Sequence, residues 1–99
     1  MFSTLQALVI QWAKDRKIIP NAKPQAQLNK ALEELAELFK AESQQDMAGI
    51  KDGVGDVIVC LINYCALKEI DPVDCLALAY DEIKDRKGTL LEDGTFVKE

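Results

Sequence analysis

The stretch Pro24-Gln25-Ala26-Gln27-Leu28-Asn29-Lys30-Ala31-Leu32-Glu33-Glu34-Leu35-Ala36-Glu37-Leu38-Phe39-Lys40-Ala41-Glu42-Ser43 decides the fold class. Leu28, Leu32, Leu35 and Phe39 recur every three or four positions among the strong helix formers Ala, Glu and Lys, which predicts a helix over about residues 24 to 43 with one apolar face. At roughly 100° per residue, Gln27, Lys30, Glu34, Glu37 and Ala41 form a second stripe beside the apolar one, at the border of a core.

Working outward, Asp46 is a candidate N-cap for a helix running to about Lys68. Gly49, Gly53 and Gly55 each weaken that helix by about 1 kcal/mol relative to Ala, so they call for a close helix approach or a bound ligand. Val57-Ile58-Val59-Cys60-Leu61-Ile62 is apolar on every side and is expected to be buried all round, most easily against a second copy of the chain. Toward the amino end, Ser3 and Gln6 match a capping box, and Leu5, Leu8, Val9 and Trp12 give a helix over about residues 4 to 16 one apolar face. Pro20, Asn21 and Pro24 mark a loop. Toward the carboxyl end, Asp71-Pro72 reads as an N-cap with proline at the first helical position, and Leu76, Ala79, Tyr80 and Ile83 form an apolar face. Lys84, Arg86 and Lys87 are expected in that helix's last turn, with Gly88 just past it. The tail predicts a small hairpin around Asp93-Gly94. The sum is an all-α, four-helix bundle with a short C-terminal tail or hairpin, and one domain over residues 1–99.

Composition narrows the chemistry. The 99 residues carry 17 acids against 12 bases, a formal charge of −5, which repels nucleic-acid backbones. There is no His, so triads, zinc ligands and general bases built on imidazole are excluded, and acid/base or metal chemistry falls to carboxylates. Cys60, Cys65 and Cys75 are odd in number and form no CxxC pair, which speaks against a disulfide framework or structural zinc and for a reducing, cytoplasmic setting. No leader pattern opens the sequence, and no apolar run reaches the roughly 18 residues of a membrane span.

Glu34 and Glu37 stand three apart on one helix face, and Asp52 and Asp56 four apart on the next, with Asn63 continuing that line. If the two helices pack antiparallel, as their short connection implies, two carboxylate pairs converge. Oxygen-only donors suit Mg²⁺, or Mn²⁺, bridging a polyphosphate. The competing reading is a solvated acidic face. Against it, Asp52 and Asp56 adjoin the most apolar segment, where carboxylates are costly unless paired or metal-bound.

Residues Lys30 to Glu37, then Asp52-Gly53-Val54-Gly55-Asp56-Val57, then Ala79 to Gly88, in this order and spacing, resemble the MazG-like branch of the all-α nucleoside triphosphate pyrophosphohydrolases. Gln11-Trp12-Ala13 and Phe96-Val97-Lys98 extend the likeness to both ends. The resemblance implies a dimer or dimer of dimers in which Glu34, Glu37 and Asp56 are catalytic and hold Mg²⁺. The reaction it implies is cleavage of the α–β phosphoanhydride of a nucleoside triphosphate to monophosphate and pyrophosphate. Gly53 stands where the second acidic motif has Glu, and Asp52 is the candidate replacement ligand. Lys30 either reaches a phosphate or pairs with the neighbouring Glu residues. Lys84, Arg86 and Lys87 either clamp pyrophosphate or complement the helix dipole. Trp12 either stacks on a base or packs in the core, and Asn63, an amide on an apolar helix, is a base-reading candidate. The rival is a non-catalytic helical module that binds nucleotide or protein.

Overall fold

The computed structural model describes residues 1–99. Five helices and a terminal hairpin follow one another: α1 (Phe2–Asp15), α2 (Ile18–Asn21), α3 (Pro24–Ser43), α4 (Met47–Leu67), α5 (Pro72–Ile83), β1 (Gly88–Leu90) and β2 (Phe96–Lys98). The all-α class and the four long helices agree with the sequence reading. The segment expected as plain loop contains the one-turn α2, entered through Lys17 in the left-handed region (φ 64°).

The α3–α4 hairpin is the heart of the chain, and α1, α2 and α5 each pack on α4. Its turn is compact because Asp46 serves both helices. The Asp46 N–H donates to the Ala41 carbonyl at 2.9 Å, and that of Gln45, in the left-handed region (φ 54°), donates to Glu42 at 3.0 Å, which closes α3. The Asp46 carboxylate then accepts from the Gly49 N–H at 3.1 Å and opens α4, as its sequence position predicts. Asp71 caps α5 in the same way, accepting from the Val73 N–H at 2.8 Å.

Glycine brings α3 and α4 together. A Cβ on Gly53 would lie 3.1 Å from the Leu38 Cβ and 3.3 Å from its Cα, and one on Gly49 would lie 3.1 Å from the Ala41 Cβ. Both therefore serve close approach, whereas Gly55 faces open space and has no such role.

Several expectations are corrected. Helix α1 starts at Phe2 with Met1 as N-cap and no side-chain cap, so Ser3 lies inside the helix and the Ser3–Gln6 capping box does not form. Helix α5 ends at Ile83. Lys84 is its C-cap, Arg86 and Lys87 lie beyond it, and Gly88 opens β1 opposite Lys98 instead of closing a helix. The hairpin itself is present, turning through Asp93 and Gly94, the latter at φ 92°, with the Thr95 N–H donating to the Asp93 carboxylate at 2.9 Å.

The largest departure is burial. Only seven residues are buried, among them Ala13, Ala41, Cys60, Ile62 and Cys65. The apolar stripe of α3 is only partly covered: Leu35 and Phe39 flank a groove shared with Ile50 and Val54 of α4, and Leu32 and Phe39 are both 69% exposed. Leu5, Leu8, Leu76 and Tyr80 are also exposed, and Ile58 and Leu61 keep the middle of α4 from being covered on all sides within one protomer. Periodicity locates an apolar face but not what lies against it. Here α3 meets α4 through Leu38 and Ala41, the residues that the α4 glycines admit.

Candidate functional site: an acidic cleft beside an apolar pocket

Because α3 and α4 run antiparallel and in close contact, the polar stripe of α3 faces the Gly49–Gly53–Asp56 line of α4. Between them lies a cleft of about 320 Å³ whose walls include Glu34 and Glu37 from α3 and Asp52 and Asp56 from α4. All four sequence-predicted carboxylates thus share one cavity.

Asp56 is half-buried at the inner end. Burial, and then the like charges of Asp52 and Glu34, push its pKa above the ordinary carboxylate value. Glu37 and Asp52 sit at the exposed rim, and no three acidic or thiol side chains are gathered closely enough to hold a metal ion as they stand. The set is open toward solvent. Its chemistry fits a hard divalent cation: oxygen donors alone, on two helices, with like charges that a cation reconciles.

Lys30 sits one turn before Glu34. Its Nζ lies 3.3 Å from Glu33 Oε2 and 3.4 Å from Glu34 Oε1, and these bonds, first to Glu33 and then to Glu34, raise its pKa. Of its two readings, pairing with glutamates is what the geometry displays. The same ammonium lines the adjoining pocket.

That second pocket, about 460 Å³, shares Glu34 and Asp56 with the acidic cleft and is otherwise lined by Trp12, Ile18, Gln27, Val59, Cys60 and Asn63, among others. Asn63 is 2% exposed, and its Oδ1 has no hydrogen-bond partner. A buried amide oxygen left unpaired costs about 1–3 kcal/mol, a cost that a ligand N–H in the pocket removes. Trp12 belongs to the pocket wall more than to a core: it is 44% exposed, and the Arg16 guanidinium lies 4.5 Å over its ring.

Lys84, Arg86 and Lys87 are not brought to this site. Lys84 pairs with Asp81 at 2.7 Å, while Arg86 and Lys87 line a separate surface groove with Glu82, Asp85, Lys98 and Glu99. Sequence reasoning passed over Lys40, Gln44 and Asp46 in the acidic cleft and Gln27 and Cys60 in the apolar pocket. The signal was present in part. Gln27 and Ala41 already belong to the α3 stripe with Glu34 and Glu37, and one more turn of it reaches Gln44.

Comparison with known proteins supplies the fold family. No family model matches the sequence. A 63-residue stretch, 64% of the chain, is 35% identical to an uncharacterised 18.2 kDa protein of the rep–hol intergenic region of Haemophilus phage HP1, and it spans 39% of that relative's length. The structure superposes on that of the cyanophage S-2L MazG-like pyrophosphohydrolase bound to dGDP and three catalytic Mn²⁺ ions per active site, with a TM-score of 0.73. The superposition covers 100% of this chain and 97% of the phage enzyme at 20% identity. At that identity the likeness is one of architecture, and it extends over the whole length: the chain has the MazG-like fold.

Proposed function

We propose that this chain is a divalent-cation-dependent nucleoside triphosphate pyrophosphohydrolase, releasing monophosphate and pyrophosphate by cleavage at the α–β phosphoanhydride. The observation that carries the reading is the pair of cavities sharing Glu34 and Asp56: a predominantly acidic cleft abuts a more apolar pocket with an unpaired amide oxygen. A triphosphate alone is repelled by four carboxylates, and a base alone has no use for them. A nucleotide carried with its cations satisfies both. The likeness of fold to an enzyme that binds dGDP and Mn²⁺ supports the same reading.

In this proposal Glu34, Glu37, Asp52 and Asp56 hold Mg²⁺ or Mn²⁺, with Asp52 standing in for the acid that Gly53 cannot supply. The bound cation would neutralise phosphate charge and acidify a water. A carboxylate of the cluster would orient a water for in-line attack on phosphorus and accept its proton, so no covalent enzyme intermediate is needed. The Asn63 amide reads the edge of the base, Trp12 covers its face, and Lys30 exchanges one of its glutamate partners for a phosphate oxygen. Lys84, Arg86 and Lys87 have no part within one protomer. A dimer, or a dimer of dimers, is part of the proposal, since it covers the exposed stripe of α3.

The alternative, a non-catalytic nucleotide- or protein-binding module, has Gly53 in its favour, because the second acidic motif is one residue out of register. One experiment separates the two. Purified protein is incubated with Mg²⁺ or Mn²⁺ and a panel of nucleoside triphosphates, and products are identified by phosphorus NMR. Monophosphate with pyrophosphate, suppressed by EDTA, is the expected result. Release of orthophosphate, or saturable binding without turnover, overturns the hydrolase reading.

A further inference from the structure

The apolar pocket and the acidic cleft form one track, and the track has a direction. Along α3, Lys30 lines the pocket, Glu34 both cavities, and Glu37 and Lys40 the cleft. Along α4, which runs the other way, Asn63 lines the pocket, Asp56 both cavities and Asp52 the cleft. Asn63, 2% exposed with its Oδ1 unpaired, marks one end, and the carboxylates hold the middle. Lys40 stands at the other end, the one basic residue in the cleft wall, about 9 Å beyond Glu34 at the rise of an α-helix. The two lysines differ in engagement. Lys30 is held by Glu33 at 3.3 Å and Glu34 at 3.4 Å, whereas the exposed Lys40 makes no ion pair, those of the chain being confined to Lys30 and Lys84. Asp46 borders the same outer end, but its carboxylate is occupied in capping α4, accepting from the Gly49 N–H at 3.1 Å, where the positive end of the helix dipole offsets its charge.

We propose that Lys40 binds the terminal phosphate of the substrate, so that the track selects nucleotides by the length of their phosphate chain. The inference rests on the hydrolase reading, from which it takes the base end of the track, and adds to it a direction and a residue. With the base beside Asn63 and the phosphates running outward past Glu34 and Asp56, the inner phosphate lies over the carboxylates and the outer ones extend toward Lys40. A monophosphate ends short of it. The Lys40 ammonium is a compact charge on a flexible stem with three donors, suited to a phosphate whose oxygens rotate freely. It also faces the group that departs, since pyrophosphate carries its negative charge toward this end of the cleft.

Full-length protein with Mg²⁺ is titrated calorimetrically with the α,β-methylene triphosphate, the α,β-methylene diphosphate and the monophosphate of each common deoxynucleoside. Wild type is compared with Lys40→Gln, Lys40→Arg and Lys30→Gln. Lys40 is exposed, so its replacement leaves the fold intact. Lys40→Gln should weaken the triphosphate about five- to tenfold, the loss of one exposed charge-assisted contact, and leave the monophosphate unchanged. Lys40→Arg should recover most of the triphosphate affinity, and in Lys30→Gln any loss should fall on all three ligands alike. Equal losses for all three ligands in Lys40→Gln, no loss in it, or a loss confined to the triphosphate in Lys30→Gln instead would each overturn the role of Lys40 and leave the hydrolase reading standing. Wild-type protein that binds none of these nucleotides would overturn both.

Discussion

Asp56 faces both cavities, and its environment makes opposite demands on stability and on function. Its folded pKa lies above the unfolded value, so between the two values the folded state binds more protons than the unfolded state does. Stability therefore falls as pH rises through that window. Asp56→Asn removes the slope. In EDTA the variant should melt a few degrees above wild type at pH 7, and the two melting curves should converge as pH falls toward 4. The same variant with Mg²⁺ should lose at least about a hundredfold in triphosphate hydrolysis, more than is typical for a residue behind the ligands. A variant that melts higher and is still fully active would remove Asp56 from the chemistry while leaving its electrostatics intact.

Among the elements, the α3–α4 hairpin rests on two kinds of backbone device, each with its own test. Gly53→Ala forces a methyl to about 3.1 Å from Leu38 and should cost about 1–3 kcal/mol by overpacking. Gly55→Ala adds a methyl in open space and should gain about 0.5–1 kcal/mol through helix propensity. Urea denaturation of the two variants should move the midpoint in opposite directions. Gln45, a non-glycine residue at φ 54°, holds the left-handed position that closes α3. Gln45→Gly should stabilise by about 0.5–1 kcal/mol, the relief of side-chain crowding less the added freedom of the unfolded chain. A midpoint unchanged or lowered in Gln45→Gly would mean that the Gln side chain supports the turn.

At the scale of the whole molecule, the chain is more open than a compact monomer of its size, which supports the proposed assembly. It exposes 7828 Å², whereas a compact monomer of 11.0 kDa exposes about 5600 Å². Its radius of gyration is 16.0 Å, against about 13 Å for a compact chain of this length. The excess is apolar where it matters, at Leu35 and Phe39 of α3 and Val54 of α4, which line one groove, and at the exposed Leu32. Soluble proteins rarely leave such a patch open, and a two-fold interface between identical chains is the commonest way to cover it. Light scattering across a dilution series should give a dimer or tetramer at low micromolar concentration, and Phe39→Glu, which puts a charge on the groove, should shift it toward monomer and lower the melting temperature. A stable 11.0 kDa species for the wild type at that concentration would refute the assembly.

What the sequence determined by itself is local and periodic. Apolar spacing located the four long helices, Asp46 and Asp71 announced their caps, and the three- and four-residue spacing of the acids placed Glu34 with Glu37 and Asp52 with Asp56 before any packing was known. These follow from helix geometry, which depends only on residues one turn apart. Three-dimensional packing decided the rest. It left the leucine stripe of α3 largely uncovered, because Gly49 and Gly53 draw Ala41 and Leu38 into the closest contact with α4. It ended α5 at Ile83, leaving Arg86 and Lys87 in the connection to the hairpin instead of in a last helical turn. It also buried Asn63 with its amide oxygen unpaired. Which face is covered, and by what, depends on contacts between residues distant in the chain, and a period of 3.6 carries no information about them.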